Sequence, residues 1–356
     1  MTKRILFTGG GSAGHVTVNT ALIPYFESEG WDITYIGSED GIEKEIITEQ
    51  FPHIPYKSIS SGKLRRYFSW KNFSDPFRVM KGVFDALSII RKVKPDIIFS
   101  KGGFVSVPVV MAAKIAKIPV AIHESDVTPG LANKLAVPFA TKIFTTFPET
   151  VQSLPSEKSL CAGAIIREEL FTGDASEGKR LTGYYDELPI LMIMGGSLGA
   201  RKINEAVRGN LQELLSQFQI IHICGKGNVD DSLTQKGYRQ YEFIKGELPH
   251  YLAMTDFVIS RAGSNSIFEF LALKKPMLLI PLSREASRGD QILNANSFVK
   301  HGYAMKLEEE ELNEESFLSS VNALKANRES MIHHMDKGEK AFTIQDMYNE
   351  LSTMSR

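Results

Sequence analysis

Short runs of Ile, Val, Leu, Phe and Met recur along the chain, and a stretch with apolar residues at helical spacing follows nearly every one. The runs lie at 4–8, 33–36, 96–100, 119–123 and 142–146, and again at 190–194, 219–224, 257–260 and 277–280. Most are bounded by Gly, Pro or charge. Runs that are apolar throughout, rather than alternating, predict parallel strands buried on both faces and joined by crossover helices. The expected fold class is therefore α/β, with doubly wound parallel sheets of the Rossmann-like kind. The pattern restarts near 188, after a loop-like stretch at 172–188. Cys161-Ala162-Gly163 reads as the end of the first half. The predicted domains are 1–163 and 164–338, facing each other across a cleft. The segment 339–356 is helical in pattern and suits packing back on either half.

A length of 356 residues agrees with two domains rather than one core. Apolar residues make up 43% and charged residues 23%, as in ordinary soluble domains. A net charge of −1 argues against a nucleic-acid partner. The cysteines, Cys161 and Cys224, have no motif spacing, so neither a disulfide framework nor a zinc site is expected. The first apolar run is too short for a secretory signal, and no run approaches the roughly 20 residues that span a bilayer. These points suggest a protein on the cytoplasmic side.

Two glycine-rich loops each follow an apolar strand and precede a helix: Gly9-Gly10-Gly11-Ser12-Ala13-Gly14-His15 and Gly195-Gly196-Ser197-Leu198-Gly199-Ala200-Arg201. Such loops let backbone N–H groups and a helix N-terminus approach an anion. The first loop also fits a dinucleotide fingerprint, but the acidic residue expected after Ile36 is replaced by Gly37-Ser38. That disfavours a nicotinamide oxidoreductase. His15, beside an anion loop, is the candidate proton carrier. Gly102 and Gly103 end another strand and read equally as a tight turn or a ligand contact. His123, Glu124, Ser125 and Asp126 end the next, either as an acceptor-site wall or as a structural His123–Glu124 pair.

In the second half, Arg261-Ala262-Gly263-Ser264-Asn265-Ser266 opens a helix in which the polar trio reads as a cap and a phosphate site. Glu269, one turn in, serves either a capping box or ribose hydroxyls. Asp290 and Gln291 suit vicinal hydroxyls of a sugar. No Asp-x-Asp motif and no metal-ligand spacing occur, so no metal and no cofactor are expected. A diphosphate would be held by amides, a helix dipole and arginine, with Arg167 and Arg261 as candidates. Charge is uneven: residues 57–94 carry Lys57, Lys63, Arg65, Arg66, Lys71, Arg78, Lys81, Arg91, Lys92 and Lys94 among aromatics that include Phe68 and Trp70. The acidic run Glu308–Glu311 reads as a solvated loop and helix start.

The motifs occur in a fixed order: Gly-Gly-Ser-Ala-Gly-His at 10–15, Lys-Gly-Gly-Phe-Val-Ser-x-Pro at 101–108, His-Glu-x-x-x-x-Pro-Gly-x-x-Asn-Lys at 123–134, Gly-Gly-Ser-x-Gly-Ala-Arg at 195–201, Arg-Ala-Gly-Ser-x-Ser-x-x-Glu at 261–269, and Gly-Asp-Gln-x-x-Asn-Ala at 289–295. Together they resemble the MurG family of peptidoglycan N-acetylglucosaminyltransferases, in the form found in low-GC Gram-positive bacteria. The resemblance covers nearly the whole chain. It implies a GT-B fold. It also implies inverting transfer of GlcNAc from UDP-GlcNAc to the C4 hydroxyl of undecaprenyl-diphospho-MurNAc-pentapeptide, giving a β(1→4) linkage without a catalytic metal.

Carried over by motif, Ser12, Arg167, Ser197, Ile244, Ser264, Asn265, Ser266, Glu269, Asp290 and Gln291 would bind UDP-GlcNAc. Ser12 and Gly11 lie near the donor or acceptor diphosphate. Gly10, Gly11, Gly14, Gly102 and Gly103 would serve the acceptor diphosphate. His15 would be the base, with Glu124 or Asp126 orienting it or sharing the role. Lys63, Arg65, Arg66, Phe68, Trp70 and Lys71 would meet an anionic membrane surface, placing the enzyme peripherally on the cytoplasmic side of the cell membrane, beside other cell-wall synthesis proteins. The sequence departs from the family's usual residues at Val18, Asp126, Ala164-Ile165 and Leu198, which puts single donor contacts in question more than the activity. Rival readings of the same build are a diacylglycerol glycosyltransferase, a UDP-GlcNAc 2-epimerase and a non-catalytic nucleotide-sugar-binding module.

Overall fold

The computed structural model describes residues 2–62, 71–185, 187–196, 200–285, 287, 289–338 and 341–356, and of 71–76 the backbone alone. The chain divides into two compact units, 1–166 together with 340–356, and 167–339.

In the first unit the described residues build one seven-stranded sheet. Its strands are β1 (Arg4–Thr8), β2 (Asp32–Gly37), β3 (Tyr56–Ser58), β4 (Ile97–Ser100), β5 (Val120–Glu124), β6 (Lys142–Thr145) and β7 (Ser159–Cys161). The spatial order is β3-β2-β1-β4-β5-β6-β7 and every neighbouring pair is parallel. Side chains alternate between faces along each strand. Ile5 and Phe7 of β1, Phe99, Ala121 and Phe144 pack on one side with Leu22 and Phe26 of helix α1 (Gly14–Ser28). Leu6, Ile98, Ile122 and Ile143 pack on the other with Val83, Leu87 and Ile90 of helix α3 (Lys71–Val93). Helix α2 (Ile42–Gln50) links β2 to β3.

The C-terminal helix Ile344–Met354 belongs to this unit. Its Met347 and Leu351 are fully buried in the β1 face, and Tyr348 sits edge-on to Phe26 and Trp31. Burying such a side chain contributes about 1.5–3 kcal/mol. Lys142 pairs with Glu350 across the same contact.

The second unit carries β8 (Ile190–Met194), β9 (Gln219–Ile223), β10 (Tyr238–Tyr241), β11 (Phe257–Ser260), β12 (Met277–Leu279) and β13 (Ala304–Lys306). Their order is β10-β9-β8-β11-β12-β13, again all parallel. The stretch 172–188, expected as loop, contains a helix at Ala175–Thr182. Asp174 caps it by accepting from the Ser176 N–H at 2.7 Å, and Gly183 ends it at φ 74°. The four strands missed by the apolar-run pattern, β3, β7, β10 and β13, are the four sheet edges.

Candidate active site

Each sheet reverses its direction of growth once, between β1 and β4 in the first unit and between β8 and β11 in the second. Ligands of open α/β sheets bind outside the strand C-termini at such switch points. Both glycine loops emerge there.

In the first unit the loops after β1 and β4 interlock. Gly10 donates its N–H to the Gly102 carbonyl at 3.2 Å, and a Cβ on Gly103 would collide with the Gly10 carbonyl. Gly103 also sits at φ 83°, a region open to glycine. The buried Tyr35 hydroxyl donates to the Gly9 carbonyl at 2.8 Å, and the Asn19 amide donates to the Thr8 carbonyl at 3.2 Å. The Gly11 N–H donates to the Glu43 carboxylate at 3.0 Å. The amides of Gly10 and Gly11, expected to face an acceptor diphosphate, are therefore turned to protein partners. The N–H groups of Ser12, Ala13 and Gly14, at the α1 N-terminus, lie past this interlock.

His15 opens α1. Its Nδ1 lies 3.0 Å from the Gly10 carbonyl and 3.0 Å from the Ser12 hydroxyl. A carbonyl only accepts, so the hydrogen bond assigns the proton of neutral His15 to Nδ1 and the basic lone pair to Nε2.

At the end of β5, Glu124 is buried. One carboxylate oxygen accepts from the Ser125 and Asp126 N–H groups at 2.9 and 3.0 Å. The other accepts from the Gly130 N–H at 2.8 Å and the Asn133 amide at 2.9 Å. Burial pushes its carboxyl up, and Lys101 and the donated hydrogen bonds pull it back. Since every one of these partners is a donor, the geometry fits the ionised carboxylate. The structure thus ties Glu124 to its own loop. No hydrogen bond joins His123 to it: both ring nitrogens of His123 are buried without a partner among the described residues, and burial holds the ring neutral. Lys101 is buried and donates to the Ser125 hydroxyl, and burial lowers its pKa against the pull of Glu124 and Asp126.

In the second unit Gly263 is the extended residue before the helix Ser264–Ala272, and no side chain caps that helix. Ser264, Asn265 and Ser266 form its first turn, which leaves helix-terminal N–H groups in line for an anion. The capping role expected of the trio and of Glu269 is not what the structure shows. Glu269 instead accepts from Arg167 Nε and Nη2 at 3.1 and 3.0 Å, and Arg167 Nη1 reaches Glu169 at 3.1 Å. Burial pushes the Glu269 carboxyl up and Arg167 opposes it.

Arg261 is also spoken for. It is buried, donates to the Ile280 and Pro281 carbonyls at 3.0 and 3.2 Å, and pairs with Glu309. Glu309 in turn accepts from the Ser283 N–H at 3.3 Å. This corrects two expectations. Arg261 is not a bare cation awaiting a diphosphate, and the Glu308–Glu311 run is not wholly solvated. Gln291 accepts from the Leu282 N–H at 3.1 Å, so the loop that leads to Asp290 and Gln291 is fastened at both ends.

Comparison with known proteins fits this geometry. Residues 5–145 match the glycosyltransferase family 28 N-terminal domain and residues 190–351 its C-terminal domain. The UDP-N-acetylglucosamine–N-acetylmuramyl-(pentapeptide) pyrophosphoryl-undecaprenol N-acetylglucosamine transferase of Geobacillus thermodenitrificans is 56% identical, with 100% of each chain covered. A Bacillus cereus transferase of the same name, numbered 2, is 61% identical over 92% of this chain and 93% of its own. The chain belongs to the MurG family.

MurG of Acinetobacter baumannii has the same fold, with a TM-score of 0.79 at 23% identity over 99% of each chain. The glycosyltransferase SsfS6 of Streptomyces sp. SF2575 shares it at 0.64 and 14% identity, over 98% of this chain and 99% of its own. The fold is GT-B. Of the MurG-family positions, Ser197 lies outside the described residues, as do Lys63, Arg65, Arg66, Phe68, Trp70 and the side chain of Lys71. Ile244 follows β10, half-buried beside the exposed Phe243. Sequence motifs passed over Glu43, Asn133 as a loop tie, and Glu309. Asn133 stood inside a motif already noted; Glu43 had no signal beyond the glycines around it.

Proposed function

We infer that this chain transfers GlcNAc from UDP-GlcNAc to the C4 hydroxyl of undecaprenyl-diphospho-MurNAc-pentapeptide. The reaction forms the β(1→4)-linked lipid disaccharide of peptidoglycan synthesis with inversion at the anomeric carbon. The observation that carries this reading is full-length identity above one half with transferases of that name, both family domains included. In the reaction the acceptor oxygen attacks the anomeric carbon, the bond to UDP breaks, and the acceptor proton passes to His15 Nε2. The Nδ1 bond to Gly10 supports that role, because it presents the basic nitrogen at the switch point.

UDP departs with negative charge. The first-turn amides of Ser264–Ser266 take up that charge, as preorganised donors do best away from water. Glu269, set by Arg167, holds the ribose hydroxyls, and the Ile244 backbone reads uracil. Asp290 and Gln291 hold the sugar. The α1 N-terminal amides near Ser12 and Gly14 receive the acceptor diphosphate, and Gly10, Gly11, Gly102 and Gly103 build their platform. Glu124 shapes the loop bearing Asp126 and is not itself the base, since its oxygens are filled by donors.

The test is UDP release from UDP-GlcNAc with three additions: a soluble lipid-linked MurNAc-peptide analogue, diacylglycerol, or nothing. Release is expected with the first alone. Release with diacylglycerol would mark a glycolipid synthase, and release without acceptor would mark an epimerase-type or hydrolytic site.

The enzyme sits peripherally on the cytoplasmic face of the membrane in this reading. Among the described residues no helix is long and apolar enough to cross a membrane. Helix α3 exposes Phe77, Met80 and Phe84, at 78%, 50% and 66%, next to Arg78 and Lys81. Apolar side chains with cations beside them suit an anionic leaflet, where each cation near the surface contributes about 1 kcal/mol. Replacing Arg65, Arg66 and Lys71 by glutamate is expected to weaken binding to anionic vesicles by about 100-fold or more. Unchanged co-sedimentation would remove this patch as the anchor.

A further inference from the structure

Glu43 is fully buried on α2, yet it reaches the first glycine loop. One of its oxygens accepts from the Ser38 N–H at 2.9 Å and the Ser38 hydroxyl at 2.5 Å. The other accepts from the Gly11 N–H at 3.0 Å. The surroundings are shaped for this carboxylate: a Cβ on Gly10 or on Gly41 would run into its oxygens, and one on Gly37 into its Cγ. Burial raises its pKa, but the hydrogen bonds from Ser38 and Gly11 outweigh that, so the carboxyl is held below its ordinary value and stays charged. The titratable groups facing it, Tyr35 and Tyr56, are pushed up by burial and stay neutral.

The Gly11 N–H and the Gly10 carbonyl belong to one peptide group. The carboxylate binds its N–H end, and His15 Nδ1 binds its C=O end at 3.0 Å. Donation of the N–H to an anion shifts electron density along the planar amide to its oxygen, which then accepts more strongly. We propose that Glu43 is the positioning carboxylate of His15, acting through the Gly10–Gly11 peptide. It fixes the Nδ1–H tautomer and raises the affinity of Nε2 for a proton. This is the work of the acid in a Ser-His-Asp triad, with one peptide group interposed. It rests on the reading of His15 as the base. It also explains why a loop of glycines spends one of its amides on a protein carboxylate.

Glu43→Gln keeps the size of the side chain and removes its charge. The expected result is a lower kcat with KM for both substrates retained, and a downward shift of the His15 titration midpoint followed by NMR of the imidazole Cε1–H. In the His15→Ala background Glu43→Gln is expected to cost nothing further. Lys101, Glu124 and Asp126 at neighbouring strand ends are kept in all four proteins of this cycle, so their fields cancel.

An additive cycle, or a His15 midpoint unmoved by Glu43→Gln, overturns the role of Glu43 while leaving His15 as base. Near-normal turnover of His15→Ala defeats the base reading instead, and the NMR midpoint then decides on Glu43 alone. If Glu43→Gln does not fold, Glu43→Asp serves. It keeps the charge but shortens the reach to the Gly11 N–H, so the His15 midpoint should move down. No movement, or movement up, overturns the proposal.

Discussion

His15→Ala is expected to lose about 10²–10⁴-fold in kcat, the usual range for one general base, while its affinity for UDP-GlcNAc is retained. The two halves of this expectation have separate grounds. Turnover falls because the acceptor hydroxyl loses the nitrogen that removes its proton. The Nδ1 contact with the Gly10 carbonyl leaves Nε2 as the basic position of the ring, and alanine supplies no base in its place. Donor affinity stays because the residues assigned to UDP-GlcNAc apart from Ser12, from Arg167 to Gln291, belong to the second unit, whereas His15 belongs to the first. Kd from calorimetry with UDP-GlcNAc and kcat from UDP release measure the two separately. A variant that turns over near the normal rate would end the assignment. One that loses donor affinity would move His15 to the donor.

The glycine loops of this site were legible in the sequence, for a physical reason. Loops at switch points need glycine where two backbones touch, and Gly10 and Gly103 do touch. The four edge strands were not legible. Tyr56–Ser58, Ser159–Cys161, Tyr238–Tyr241 and Ala304–Lys306 each pair on one side only and are partly exposed, so they lack the continuous apolar run that marks an inner strand.

Partnerships between charges were harder still. Glu43 and Gly11 are 32 residues apart, and Arg261 and Glu309 are 48 apart. A carboxylate on a helix reads as solvated unless the fold turns it inward. Arg167 and Glu269 were both named for the donor, but only the fold shows that they bind each other.

Arg261→Met should destabilise the protein by about 3–5 kcal/mol, the cost of leaving one partner of a buried ion pair alone. The side chains of Arg261 and Glu309 are 9% and 6% exposed, so water cannot substitute for either. Loss of the arginine strands the Glu309 charge and takes the donors from the Ile280 and Pro281 carbonyls. Glu309→Gln should cost a similar amount, since it leaves the guanidinium charge unpaired and sets an amide against the Ser283 N–H. The double variant should lose less than the sum of the two, because one charge is no longer stranded by removal of the other.

The effect carries a sign with pH. In the native protein burial raises the Glu309 carboxyl, but the hydrogen bond and charge of Arg261, with the Ser283 N–H, together outweigh it and hold the pKa below normal. A folded pKa below the unfolded one contributes stability above the ordinary carboxylate range and loses it as pH falls through the folded value. In Arg261→Met the stranded carboxyl takes up a proton more easily. The gap from wild type, read as melting temperature, should therefore be widest near neutral pH and close towards acid. If Arg261 were a phosphate contact, its loss would instead weaken UDP-GlcNAc binding at unchanged melting temperature. A buried tie predicts the reverse order: stability falls first, and donor affinity falls only as far as the 280–291 loop loosens around Gln291.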